Sequence, residues 1–346
     1  MSPPRLFTDR ILPAVVFPAI SLVAGYAILG HLRQSNVYQH IHTQCAPSSG
    51  TYMLPYTGSE ILDGALCRPV AAFHALLDPP SNLPFNVDLL FGFGTLVLGL
   101  AVESARVERS ALIGLYVAIV MVAQFATAAV MLPVYWLIFV LSGAAKRTAS
   151  SGSGVDQAHA ESVVFGIFTG YALPSLAMLL MDNPYATAFW QPFPLWIFIA
   201  QHAYLAIRPR AGSAKSGYMT IQSAYTAVFL TAGVSHMYYA APMLLAGEFA
   251  AYSAQLTPDL AIDASSTVQA ASLGLLQWDI LFVQLSTLCA CLWTAQSTTE
   301  FVGIIGWLAV GAVTVGPAAS VAAIFAHRER KLNGQAAIVS KKDKRN

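Results

Sequence analysis

A chain of 346 residues that is 56% apolar and only 10% Asp, Glu, Lys and Arg cannot surface a soluble core of its size, because ordinary soluble domains carry roughly 25% charged residues. A formal net charge of +1 gives no footing for a nucleic-acid partner. The apolar residues fall into runs of about 18 or more, enough at 1.5 Å per helical residue to cross a hydrocarbon layer about 30 Å thick.

No ten-residue alternating strand pattern occurs, so the runs read as helices rather than barrel strands. The fold class is all-α integral membrane: a bundle of about eight transmembrane helices in one polytopic domain, 1–346, with a lipid bilayer as partner. The first span, about 11–30, follows Arg5 and Arg10 like a signal peptide. Its apolar run exceeds the usual 7–15 residues and no small-residue cleavage site follows, so it is expected to stay as the first helix. A long loop, 31–85, then carries His40 and His42, read as loop residues rather than a metal site. It also carries Cys45 and Cys67, which can pair if the loop meets an oxidising compartment.

The second span runs about 86–103, with Asp88 and Glu103 at its ends, and the third about 111–141, long enough to tilt or protrude. Spans four to eight are read at about 162–181, 190–207, 218–246, 273–296 and 301–326. Short connections at Ser104–Ser110, Asp182–Phe189 and Ser297–Glu300 make neighbours antiparallel. Cys289 and Cys291 read as small buried apolar residues. The basic segment 327–346, with Arg328, Arg330, Lys331, Lys341, Lys342, Lys344 and Arg345, reads as a solvated tail.

That tail places both termini in the cytoplasm, with the endoplasmic reticulum as the expected membrane. Eight crossings then put Arg208, Arg210 and Lys215 on the far side, against the same rule. Loop 247–272 carries Glu248, Asp259 and Asp263 without a Lys or Arg and belongs outside the cytoplasm.

The chain has no phosphate loop, Rossmann fingerprint, nucleophile-elbow serine or zinc signature, and no aspartate-rich repeat of the kind that holds magnesium on a diphosphate. No cofactor and no metal are expected. An enzyme of oily substrates built this way would not begin by ionising a diphosphate.

Ionisable residues within a span are costly and mark function. Asp279, in Gln277-Trp278-Asp279, lies about two turns into the seventh span and is too short to snorkel. A buried carboxylic acid with no cation nearby in sequence is a ready proton donor. Asp182 and Glu103 are its competitors, and His236 and His202 are candidates to orient the acid or take up the last proton. The sixth span bears the stripe Gln222, Tyr225, Phe229, Ala232, His236 and Tyr239 on one helical face, and the fifth the line Gln191, Pro194, Phe198 and Gln201 beside Trp190 and His202. Taken singly these are interhelical glue. Together they suit an oily ligand with one or two polar handles, and the aromatic faces of Trp190, Trp278 and Tyr239 suit a cation. Gln191 is the candidate contact for the polar end of the substrate, and Gln222 is a further substrate-binding candidate.

The length near 350 residues, the eight-span layout, Asn183-Pro184-Tyr185, Trp190-Gln191-Pro192-Phe193-Pro194 and the acid after tryptophan in Trp278-Asp279 together carry a resemblance. The chain resembles the fungal membrane-bound terpene cyclases related to the cyclase of ascofuranone biosynthesis, which occur also in indole-diterpene and meroterpenoid clusters. The resemblance implies a secondary-metabolism enzyme, of isomerase or lyase type, that cyclises a hydrophobic prenylated substrate through its epoxide without metal or cofactor. The competing readings are a proton-coupled carrier or receptor for a small hydrophobic molecule, a membrane acyltransferase, and a non-catalytic scaffold.

Overall fold

An apolar backbone segment that leaves water must satisfy its own N–H and C=O groups, and a helix does so within itself. The computed structural model describes residues 7–150, 153–208 and 215–343, with side chains as far as Asn333. Arg5, Arg210, Lys344 and Arg345 lie outside the described residues, as do the side chains of Lys341 and Lys342. Among the described residues there is no strand. Five helices among these residues are long and apolar enough to cross a membrane, and four shorter ones are apolar.

Helix α1 (Leu12–Gln34) leads to α2 (Val37–Gln44) and α3 (Glu60–Leu77), so the long early loop is largely helical. Cys45, which ends α2, is disulfide-bonded to Cys67 within α3. Next comes α4 (Leu83–Ser104). The third apolar run is broken into α5 (Ala111–Gly114), α6 (Tyr116–Ala126) and α7 (Ala128–Leu141). After them α8 (Gln157–Ile167) continues through a π turn into α9 (Leu173–Met181), followed by α10 (Pro184–Trp190) and α11 (Phe193–Ile207). The remainder is α12 (Tyr218–Leu245), α13 (Phe249–Leu256), α14 (Val268–Trp293), α15 (Thr298–Thr314) and α16 (Pro317–Asp343).

Two of the expected spans differ. Thr127, at φ 67° and ψ 146°, breaks the third run, an unusual backbone for a β-branched residue. The start of α7 lies against Asp279, midway along α14. Further along, Trp136 of α7 donates to Thr287 of α14 at 3.1 Å, and Lys146 just beyond α7 donates to the carbonyl of Ala295 just beyond α14. Thus α7 runs beside α14 toward the end where α6 began, and α6–α7 is a hairpin that turns back halfway. The eighth run is also two helices. Gly316, at φ 87°, and Pro317 stop α15 and start α16, the usual glycine-stop and proline-start chemistry.

These two differences cancel in direction but reassign the loops. Gln157 donates its backbone N–H to Lys215 at 2.9 Å, and Gly217 donates to Val155 at 2.8 Å. Ser153 contacts both Arg106 and Leu332. Arg208 and Lys215 therefore sit at the same end of the bundle as Arg106, Lys146 and Arg328, and the conflict over Arg208 and Lys215 disappears. The opposite end gathers the disulfide, α13 and the starts of α4 and α14. There His31 bonds the carbonyl of Ala271 at 2.7 Å and Asn36 that of Ser266 at 2.7 Å.

The basic segment is not wholly solvated. Helix α16 continues through it, and Arg328, Glu329 and Leu332 are buried. Arg106 meets Glu329 at 2.6 Å and Glu103 at 2.8 Å, while Glu103 also pairs with Arg328 and, at 3.7 Å, with Arg147. A buried charge tolerates loss of water only when paired in this way.

Candidate active site

A helix start leaves backbone N–H groups without partners. At the break after Thr127 that need falls inside the bundle, and Asp279 meets it by accepting the N–H of Ala129 at 2.7 Å. Asp279 is buried, and no Lys or Arg pairs with it among the described residues. Beside it Trp278 stacks on Phe282, rings 5.8 Å apart and 15° from parallel.

His236 is buried between three helices. Its Nδ1 lies 2.7 Å from Asp88 of α4, and its Nε2 lies 3.3 Å from the hydroxyl of Tyr252 in α13. A carboxylate at Nδ1 favours the proton on that nitrogen and leaves Nε2 as an acceptor. Gly316 packs against the ring, where a Cβ would come within 2.7 Å. The sixth-span stripe faces this seam: Tyr225 meets Phe325, Ala232 packs with Ala319, and Gln222 donates to the carbonyl of Ala326 at 3.1 Å. Gln222 and His236 are fourteen positions apart on one helix, about 21 Å, so they do not share a pocket. Tyr239, half-buried, packs edge-on against Tyr238.

Trp190 joins an aromatic cluster with Phe73 and Phe193, each 5.2 Å away, and Tyr171 at 6.3 Å. Its indole N–H is held by Ser175 at 2.8 Å. Gln191 beside it is buried, and among the described residues its amide nitrogen has no hydrogen-bond partner; nor do the side-chain oxygens of Asn86, Tyr135 and Gln284. Buried polar atoms of this kind call for a partner, and a ligand's polar end supplies one.

Three sequence candidates lie elsewhere. Glu103 is clamped by guanidinium groups in the ion cluster, an arrangement that holds it as a charged carboxylate. His202 is exposed and bonds only its own helix, through the Phe198 carbonyl at 2.8 Å. Asp182 is 90% exposed, caps α9 in the left-handed conformation at φ 42°, and lies 3.7 Å from His74. Burial lowers the pKa of His74, against the opposing pull of Asp182 and Asp78.

Sequence reasoning noticed Asp88 and His236 separately. Their pairing across 148 residues leaves no local pattern, and Tyr252 sits in a stretch read only as an acidic loop. The Arg106–Glu329 pair, 223 residues apart, was equally hidden.

The family model for the CtvD domain matches residues 13–332, and the chain belongs to that family. Two fungal relatives are similar to it. Terpene cyclase ascI of Acremonium egyptiacum is 27% identical over 254 residues, covering 68% of this chain and 65% of its own length. Terpene cyclase rstn5 of Aspergillus nomiae is 24% identical over 343 residues, covering 93% of this chain and 95% of its own. The match to the first thus spans just under two thirds of that relative. No solved structure matches the chain. The resemblance drawn from the sequence is to the family that these comparisons return.

Proposed function

We propose that this protein is a membrane-bound terpene cyclase of fungal secondary metabolism that closes rings on an epoxidised prenyl chain by acid-initiated carbocation chemistry, without a metal. The observation that carries the reading is Asp279, a carboxyl buried mid-bundle, with a backbone N–H as its anchor and, among the described residues, no Lys or Arg paired with it. Asp279 passes its proton to the oxirane oxygen as the C–O bond at the more substituted carbon breaks. An internal alkene supplies the electron pair that closes the ring, and the displaced cation is stabilised by the faces of Trp190, Trp278 and Tyr239. Proton loss from carbon to His236, whose Nδ1 is tied to Asp88, ends the sequence and leaves an isomer of the substrate. Gln191, with its amide nitrogen free, receives the substrate's polar end.

The chain crosses the endoplasmic reticulum membrane eight times in this reading, through α1, α4, α8–α9, α11, α12, α14, α15 and α16, with α6–α7 re-entrant. The end bearing Arg106, Lys146, Arg208, Lys215 and Arg328 is cytoplasmic, which accords with the rule that cytoplasmic loops carry the excess of Lys and Arg. Among residues with described side chains, Arg33 and Arg68 are the cations of the lumenal half.

The test incubates microsomes carrying the wild-type chain or Asp279→Asn with a terminally epoxidised farnesyl-aromatic compound. A new isomer of unchanged mass, lost in the equally expressed variant, is the expected result. Unchanged substrate across a panel of prenyl epoxides would return the carrier reading.

A further inference from the structure

At the lumenal end of the proposed topology, away from Asp279, three potential metal ligands from two parts of the chain converge. His74 and Asp78 stand one turn apart at the end of α3, and Asp182 ends α9. One donor atom from each lies within 4.8 Å of the others. The side chain of His74 is only 4% exposed, and it is fixed from two sides: Nε2 lies 3.2 Å from the hydroxyl of Thr187, and Tyr52 stacks on the ring at 5.0 Å. With Nε2 so occupied, Nδ1 is left toward the acids: Asp182 Oδ1 lies 3.7 Å from it, and among the described residues it makes no hydrogen bond. In the tautomer that donates from Nε2 to Thr187, a lone pair faces two acids, an arrangement that calls for a positive charge between them.

We propose that His74, Asp78 and Asp182 bind a divalent transition-metal ion of the zinc class, with water completing its shell. One imidazole nitrogen and two carboxylate oxygens form a donor set such ions accept, and the contact of Nε2 with Thr187 is the orienting bond that ligating histidines make. Bond lengths near 2.1 Å place ligand atoms roughly 3 to 3.5 Å apart. Rotation of the two exposed aspartates closes the remaining distance while His74 stays in place. The ion fastens α3 to the α9–α10 turn. Cys67 lies two turns earlier on α3 and holds the same helix to α2 through the disulfide, so the two crosslinks secure one helix at points two turns apart. The site is structural and takes no part in the proton chemistry assigned to Asp279.

The test uses tag-free, full-length protein in detergent, stripped with chelator, desalted and then titrated with Zn²⁺, reading bound metal by mass spectrometry and the thermal unfolding midpoint. One Zn²⁺ per chain and a raised midpoint are expected, with affinity about tenfold or more weaker in Asp78→Asn and in Asp182→Asn. Asparagine tolerates the left-handed backbone at position 182, so the metal-free midpoints should match that of the wild type. His40→Gln/His42→Gln should keep full affinity. Absence of stoichiometric zinc, unchanged affinity in both aspartate variants, or loss only in the His40/His42 variant would each overturn the site. None of these outcomes bears on cyclisation.

Discussion

Asp279 and Ala129 join two helices at mid-depth: the carboxyl of one accepts the backbone N–H that the break before the other leaves free. One side chain thereby holds the tip of the α6–α7 hairpin and supplies the proposed acid. These roles separate under mutation. Asp279→Asn keeps an acceptor for Ala129 but has no proton to give, so cyclisation should fall by about 10²-fold or more at near wild-type thermal stability. Asp279→Ala should be as inactive and about 1 kcal/mol less stable, seen as a lower unfolding midpoint in detergent.

Glu329→Gln leaves Arg106 buried with half of its charge pairing removed. Breaking a buried pair from one side costs about 3–5 kcal/mol. The variant should therefore show a markedly lower unfolding midpoint, while turnover per folded molecule, corrected for the amount surviving gel filtration, stays at the wild-type value.

Asp88 and His236 should behave as one unit. If Asp88 acts by holding the imidazole, Asp88→Asn and His236→Gln each slow product formation about tenfold or more, and the double variant is no slower than the worse single. Multiplying effects in the cycle would separate the two residues. Gly316→Ala, which pushes a methyl group into the His236 ring, should reproduce part of the loss.

Sidedness can be read by glycosylation. Asp263→Asn creates an acceptor with Ala264 and Ser265 at the disulfide end, and Ala149→Asn creates one with Ser150 and Ser151 at the basic end. Expressed in yeast, the first should gain a glycan removable by endoglycosidase H and the second should not. The reverse pattern would invert the topology.

Helix content was legible because hydropathy and length alone specify it, and so was the inward face of the α12 stripe, because its 3-and-4 spacing survives in the structure. The breaks were not. The apolar run 111–141 reads as one crossing since nothing about Thr127 announces a positive φ, and it is Asp279, far along the chain, that makes a turn there tolerable. Gly316-Pro317 was a readable stop signal, hidden because the residues on both sides are equally apolar. Trp190, Gln191 and Asp279 could be nominated one at a time from residue type and depth. That Glu103 belongs to an ion cluster while His236 pairs with Asp88 depends on partners 225 and 148 residues away, which periodicity does not reach.

Arg106 and Glu329 are 223 positions apart, and at 5–20 residues per second the ribosome makes the second roughly 11 to 45 s after the first. Throughout that interval Arg106 is a cation at the edge of α4 whose partner helix does not yet exist. Such a charge helps to keep a nascent loop in the cytosol. Only when α16 docks does the same guanidinium disappear into the protein, so a residue that, in the proposed topology, first instructs the insertion machinery ends as the clasp that records the finished fold.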